Sequence, residues 1–221
     1  MKIPRDWTFE TASIANGFDR HVREQLPWYD LVTRAVVHFG RYYIPKNGIV
    51  YDIGASTGNI GNALRDIITV RQAKLTAIEE SPDMVLRYTG PGTIVTADAL
   101  TFDFQLFDFG VLFLVLMFMP VSERPKLIKR LVKLIRPGGC IIVVDKTNTL
   151  AGYVGTSTRL LATQMKIDTG TKLEDIVAKE LSLAGYQRPI DPMILTENAV
   201  QFFQFGEFSG WIIESSCQED S

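Results

Sequence analysis

The chain has 221 residues, 46% hydrophobic and 22% charged, with a formal charge of −2, which fits a soluble globular domain and excludes a disordered chain. That balance lacks the basic footprint of a domain that grips nucleic acid over its whole surface. Its two cysteines, Cys140 and Cys217, lie far apart, so no disulfide framework and no metal site is expected.

The opening residues "MKIPRDWTFE" have no apolar core of signal-peptide length, and a cytoplasmic protein is expected. Residues 17–44, "GFDRHVREQLPWYDLVTRAVVHFGRYYI", read as two helical pieces broken near Pro27, with Leu31, Ala35, Val36 and Phe39 on one face. They form an expected N-terminal helical cap over residues 1–44. From Ile49 the pattern alternates. Strand-like runs are "GIVYDI", "KLTAIE", "GTIVTA", "FDFGVLFLVL" and "GCIIVVD", separated by the helix-like "TGNIGNALRDIITV", "SPDMVLRYT" and "VSERPKLIKRLVKLI". Strands that are apolar on both faces and alternate with helices predict a parallel sheet covered on both sides.

The run "FGVLFLVLMFM" is about half the ~20 residues a membrane helix needs, so a buried central strand is expected there and no membrane association. "RPGG" at 136–139 reads as a stop-and-turn signal before the fifth strand. Beyond Asp145, "STRLLATQM" and "KLEDIVAKELSLAGY" look helical, and "VQFFQFGEFSGWIIES" reads as a closing hairpin. A single domain over 45–216 and a frayed tail over 217–221 complete the division.

The stretch "IVYDIGASTGNIGNAL" carries the chemistry. Gly54, Gly58 and Gly61 are spaced G-x-x-x-G-x-x-G, which differs from the dinucleotide fingerprint G-x-G-x-x-G. Short-chain dehydrogenases use G-A-S-x-G-x-G, one residue shorter than "GASTGNIG", so an NAD(P) enzyme is a rival reading. The one Tyr-x-x-x-Lys spacing, Tyr42 to Lys46, precedes the loop and spans a proline, and gives that rival no support.

Asp52 decides between the ligands. A carboxylate facing this loop would repel a pyrophosphate but can accept hydrogen bonds from an ammonium group, which suits the methionine end of S-adenosylmethionine (SAM). Glu79 ends the second strand, where an acid can take ribose hydroxyls, although NAD enzymes place an acid there too. Asp98 follows the third strand, where it can accept from the adenine amine while the Ala99 backbone reads the ring edge. In an open α/β sheet those three strand ends share one crevice.

Asp-x-Gly-x-x-x-Gly, the acid after strand two, "AD" after strand three and "LIRPGG" together resemble class I SAM-dependent methyltransferases over about residues 45–146. The flanks are similar to the carboxy-SAM synthase family and its relatives linked to tRNA-uridine modification: "FDRHVREQLPWYDLV", "FMPVSERPKLIKRLVKLIRPGGCIIVVDK", "AGY" and "FFQFGEFSGW". The resemblance implies a Rossmann-like α/β fold, a mostly parallel seven-stranded sheet ending in an antiparallel hairpin. It implies that SAM is held by Tyr29 from the cap, by Asp52, Gly54, Ala55, Ser56 and Gly58 at the methionine end, by Glu79 and Glu80 at the ribose, and by Asp98 and Ala99 at the adenine.

Two positions depart from that family. Phe113 stands where the synthases have an asparagine beside the cofactor, and Glu180 aligns with the arginine that holds their extra carboxylate. A carboxylate facing a carboxylate is repelled, so ordinary SAM is expected rather than its carboxylated form. Methyl transfer is an in-line displacement that positioning can drive without an obligatory catalytic residue. His21, Asp145 and Lys146 are the candidates for a general base. The acceptor expected is a small molecule or a tRNA base, and a homodimer is compatible with the pattern. A carboxy-SAM synthase-like enzyme and a non-catalytic SAM-binding scaffold are the alternatives.

Overall fold

The computed structural model describes residues 18–148 and 151–215; the His21 side chain and the expected tail over 217–221 lie outside the described residues. Seven strands form one sheet in the order β3-β2-β1-β4-β5-β7-β6. They are β1 (Ile49–Ile53), β2 (Lys74–Glu79), β3 (Thr93–Thr96), β4 (Phe107–Phe113), β5 (Ile135–Lys146), β6 (Val200–Phe205) and β7 (Phe208–Glu214). The first five pair in parallel, and the closing hairpin inserts β7 antiparallel against β5. The mostly parallel sheet with its antiparallel hairpin is as expected.

The helices follow from the same periodicities. α1 (Phe18–Gln25) and α2 (Tyr29–Tyr43) are broken around Pro27, which has no N–H for a continuous helix. α3 (Asn59–Arg71) follows the glycine loop, and α4 (Pro82–Val85) is one turn capped by the Ser81 side chain. α5 (Arg124–Val132) links β4 to β5, and α6 (Gly152–Asp168) and α7 (Leu173–Leu183) lie between β5 and the hairpin.

Because side chains alternate across a strand, β5 feeds two cores. Cys140, Ile142 and Val144 join Val32 and Val36 of α2 and Leu64 of α3 on one face. Ile141 and Val143 join Leu127, Ile128 and Leu131 of α5 on the other. All seven residues of β4 are buried, as the run around Phe109 predicted. Among the described residues no helix is long and apolar enough to cross a membrane.

Two local expectations are corrected. Strand four stops at Phe113 rather than Leu116: Leu114 takes φ +62°, and a 3-10 turn follows over Leu116–Phe118. That turn is held by Asp145, whose carboxylate collects the N–H groups of Val115, Leu116 and Met117 at 3.1, 2.7 and 3.3 Å. "RPGG" does not separate helix from strand; β5 already begins at Ile135. The register between β4 and β5 jumps from Phe107↔Ile135 to Phe109↔Cys140, so the extra residues form an irregularity inside the strand.

Candidate functional site

The carboxyl ends of β1, β2, β3 and β4 open on one cavity of about 390 Å³. β1 lies between β2 and β4, so the chain switches direction there, and the crevice of an open α/β sheet forms at that point.

The glycine loop turns sharply from β1. Gly54 has φ +72°, and a Cβ there would come within 2.5 Å of Val115 Cγ2, so only glycine fits. Its N–H and that of Ala55 both donate to the Ile78 carbonyl, at 2.8 and 3.0 Å, which ties the loop to β2. Ser56 adopts φ +49°, a left-handed conformation that costs a non-glycine residue about 1 kcal/mol. Glu79 holds it there, accepting from Ser56 N at 2.8 Å through one oxygen and from Ser81 N at 2.9 Å through the other. The Glu80 N–H also bonds this carboxylate, which retains capacity for one further donor, such as a ribose hydroxyl. Burial raises the Glu79 pKa against the pull of those N–H groups.

Asp52 is 2% exposed beneath this loop and accepts from Gly61 N at 3.2 Å, in the first turn of α3. Burial pushes its carboxyl up to about 7, the Gly61 hydrogen bond acts in the opposite direction, and the Glu79 charge adds to the rise. The helix N-terminus favours the ionised form as well.

At the far end, Asp98 forms a turn by accepting from Leu100 N at 2.8 Å. The carbonyls of Ala99 and Leu100 receive Arg130 Nη2 and Nη1 at 2.6 and 2.7 Å, and that guanidinium packs 5.4 Å from the Phe104 ring centre. From above, Tyr29 is buried edge-on against Phe113, with ring centres 5.2 Å apart. Arg23 lies over the Tyr29 ring at 5.4 Å and donates to Asn59 Oδ1 at 2.8 Å, joining α1 and α2 to the start of α3.

The structure thus brings Tyr29, Asp52, Gly54, Ala55, Ser56, Glu79, Glu80, Asp98, Ala99 and Phe113 to one cavity wall. Gly58 is set back from it. It precedes α3 with φ +97°, and a Cβ would meet Gly90 N at 2.8 Å and the Tyr88 ring at 2.9 Å, so it packs the loop against residues 88–90.

The comparisons agree with this geometry. Residues 50–139 match the family described as "Methyltransferase domain". That segment carries a methyltransferase domain. The chain is 28% identical over 192 residues to the carboxy-S-adenosyl-L-methionine synthase of Staphylococcus epidermidis, covering 85% of this chain and 84% of that one. The synthase of Pectobacterium atrosepticum is 30% identical over 159 residues, 68% of this chain and 64% of the relative. In fold it resembles the plantazolicin methyltransferase BpumL, with a TM-score of 0.61 at 12% identity and coverage of 92% and 89%. Human N-acetylserotonin methyltransferase gives 0.59 at 13% identity, over 94% of this chain and 57% of that one.

The methyltransferase domain has features that the motifs alone did not show. Lys179 of α7 lines the cavity at the strand ends, and Glu180 does not. Ile176 and Leu183 anchor α7 inward, which carries Lys179 toward the cavity and leaves the Glu180 side chain 61% exposed. The expected repulsion between Glu180 and a cofactor carboxylate therefore has no geometric basis. Asp145 is fully buried in its cage of N–H groups, including Lys146 N at 2.8 Å, and lines neither this cavity nor its neighbour; its carboxyl is pushed up to about 7 by burial while those donors pull it down. Its part is to hold the turn after β4. Lys146 faces a second cavity, where Nζ contacts Glu207 at 3.2 Å and Gln187 at 3.1 Å.

Arg124 also escaped the motif reading. It is the buried first residue of α5 and donates to the carbonyls of Met119, Pro189 and Met117, at 3.0, 3.1 and 3.2 Å, binding the cavity's lower lip to the segment after α7.

Proposed function

We propose that this protein transfers a methyl group from ordinary SAM to a small molecule. The observation that carries this reading is the meeting of two cavities: the one at the strand ends shares Met117, Lys179, Leu183 and Gln187 with a neighbour of about 340 Å³ bordered by α1, α6, α7 and the hairpin turn. Cofactor on one side of that junction and acceptor on the other gives the in-line approach that methyl transfer needs. The acceptor's lone pair forms the bond to the methyl carbon, and the carbon–sulfur pair returns to sulfur, leaving the neutral thioether. A proton carried by the acceptor nucleophile leaves to a base or to water.

Asp52 would receive the ammonium end, Glu79 the ribose and Asp98 with the Ala99 backbone the adenine. Among the described lining residues, four carboxylates, Asp52, Glu79, Glu80 and Asp98, against one lysine make the cavity at the strand ends suited to a ligand that is cationic at both amine and sulfonium. Phe113 supports ordinary SAM, since its apolar ring in the cavity wall offers no hydrogen bond to an extra carboxylate. A second cavity of about 340 Å³ suits a small molecule better than a tRNA base, as does the formal charge of −2.

A second reading rests on Lys179. An ammonium at the junction suits a carboxylated cofactor, in line with the synthases among the relatives. Thermal unfolding with SAM, its demethylated product SAH, carboxylated SAM and NAD(P) separates these. A ligand at about 100 times its Kd stabilises by about 2.7 kcal/mol, or roughly 5–10 °C for a chain of this size. Shifts of that size are expected with SAM and SAH and none with NAD(P). Tighter binding of carboxylated SAM would favour the synthase reading, and no shift with any cofactor would favour a scaffold.

A further inference from the structure

The second cavity has two unlike walls. One is apolar and aromatic, formed by Val22, Leu26, Pro27, Trp28, Phe205 and Phe208, with the Trp28 and Phe208 ring centres 4.9 Å apart. The other is basic: Lys146 from the end of β5, Arg159 and Lys166 from α6, and Lys179 from α7. Two carboxylates line it too. Glu207 in the hairpin turn approaches Lys146 at 3.2 Å, and the largely exposed Glu180 approaches Lys166 at 3.8 Å. Among the described residues that line it, four cations stand beside two anions.

Lysines grouped in a partly desolvated wall are a favourable seat for a negative group. Burial pulls both Lys179 and Lys166 below the ordinary lysine range, Lys179 to about 8, where the charges of Lys166 and Lys146 add to the effect. A negative group among them would relieve both the desolvation and the mutual repulsion, and the facing rings would take an apolar body. A ligand entering here reaches the cofactor cavity through Met117, Lys179, Leu183 and Gln187.

We propose that this second cavity binds the methyl acceptor, and that the acceptor is a small molecule with a ring-sized apolar body and a carboxylate, the carboxylate seated among Lys146, Lys166 and Lys179 and the body against Trp28 and Phe208. The proposal rests on the methyltransferase reading and names its substrate class. The carboxylate is an anchor, so the nucleophile that takes the methyl group is a separate atom of the same molecule.

The test is calorimetric titration of the full chain, saturated with SAH, with 2-naphthoate and with its neutral analogue 2-naphthamide. A charge-assisted contact favours the carboxylate by about tenfold or more. Lys166→Gln, which touches only the second cavity, is expected to remove most of that preference while leaving naphthamide and SAH affinities within about twofold. Lys166→Arg is expected to restore it. Equal affinity for carboxylate and amide, or a Lys166→Gln effect of the same size on both probes, overturns the proposal. Displacement of 2-naphthoate by carboxylated SAM but not by SAH also overturns it, by assigning the lysines to the cofactor. Failure of SAH itself to bind the unsubstituted chain instead sinks the methyltransferase reading, and is measured separately before either probe is added.

Discussion

Replacing Asp52 with asparagine tests the core of the cofactor site, because the carboxylate must be ionised to hold an ammonium but is buried where ionisation is costly. In the empty protein burial pushes it up to about 7, while next to a cationic ligand it returns toward the ordinary carboxylate range. SAM binding should therefore release a proton, and affinity should fall as pH drops below about 7, by about tenfold for each pH unit, or ~1.4 kcal/mol. A full return from about 7 to the ordinary value near 4 sets a ceiling of ~4 kcal/mol on this coupling. Above about pH 8 the ligand's own α-amino group loses its proton, which gives the optimum an alkaline limb as well.

Calorimetry between pH 6 and 7.5, in two buffers of different ionisation enthalpy, counts the protons directly. About one released proton is expected at pH 6 and about half of one at pH 7. Asp52→Asn should abolish the release and flatten the acid limb. Glu79→Gln should weaken binding and lower the proton count only modestly, because the hydroxyls proposed to meet it are neutral and its charge is the smallest of the causes acting on Asp52. No release at pH 6, or a release that survives Asp52→Asn, would refute the assignment. The empty protein responds in the opposite sense: a raised folded-state pKa contributes stability that is present below the unfolded value near 4 and is lost as pH rises through about 7. Asp52→Asn should therefore gain in melting temperature relative to the unsubstituted protein on going from pH 5 to pH 8.

Three further outcomes follow from named contacts. Gly58→Ala combines a left-handed backbone with a Cβ 2.8 Å from Gly90 N, and should cost roughly 2–3 kcal/mol, seen as a melting temperature lower by about 5–10 °C. Arg130→Met removes both donors from the Ala99 and Leu100 carbonyls and should weaken SAM about tenfold by calorimetry. Retained SAM affinity in that variant would separate this loop from adenine binding. Asp145→Asn leaves four N–H donors facing one carbonyl oxygen and an amide that cannot accept, and should destabilise by about 3 kcal/mol in denaturant titration. Turnover lost without a stability change would give Asp145 a chemical role in place of the structural one.

Much of this protein was legible from local pattern. The strand–helix alternation needs only the two side-chain periodicities, and the glycines of "DIGASTGNIG" announce a turn whose backbone no other residue tolerates at Gly54. Asp52, Glu79 and Asp98 could be brought to one place in advance because each closes a successive parallel strand, and such strands end on one side of a sheet. These are consequences of chain chemistry and topology, and they fix the fold and the character of the cofactor.

Only the tertiary structure decided what surrounds the second cavity. Whether Lys179 or Glu180 reaches the cavity depends on a rotation of about 100° about α7, and that phase is set by where Ile176 and Leu183 find apolar partners, not by the helix's own sequence. The same holds for Asp145, which ends a strand just as Asp52 does but is enclosed by a turn that β4 makes after Leu114 reverses its backbone. Lys146, Lys166 and Lys179 lie 20 and 13 residues apart along the chain, without a spacing that marks a site. The packing of α6 and α7 beside the end of β5 makes them one wall.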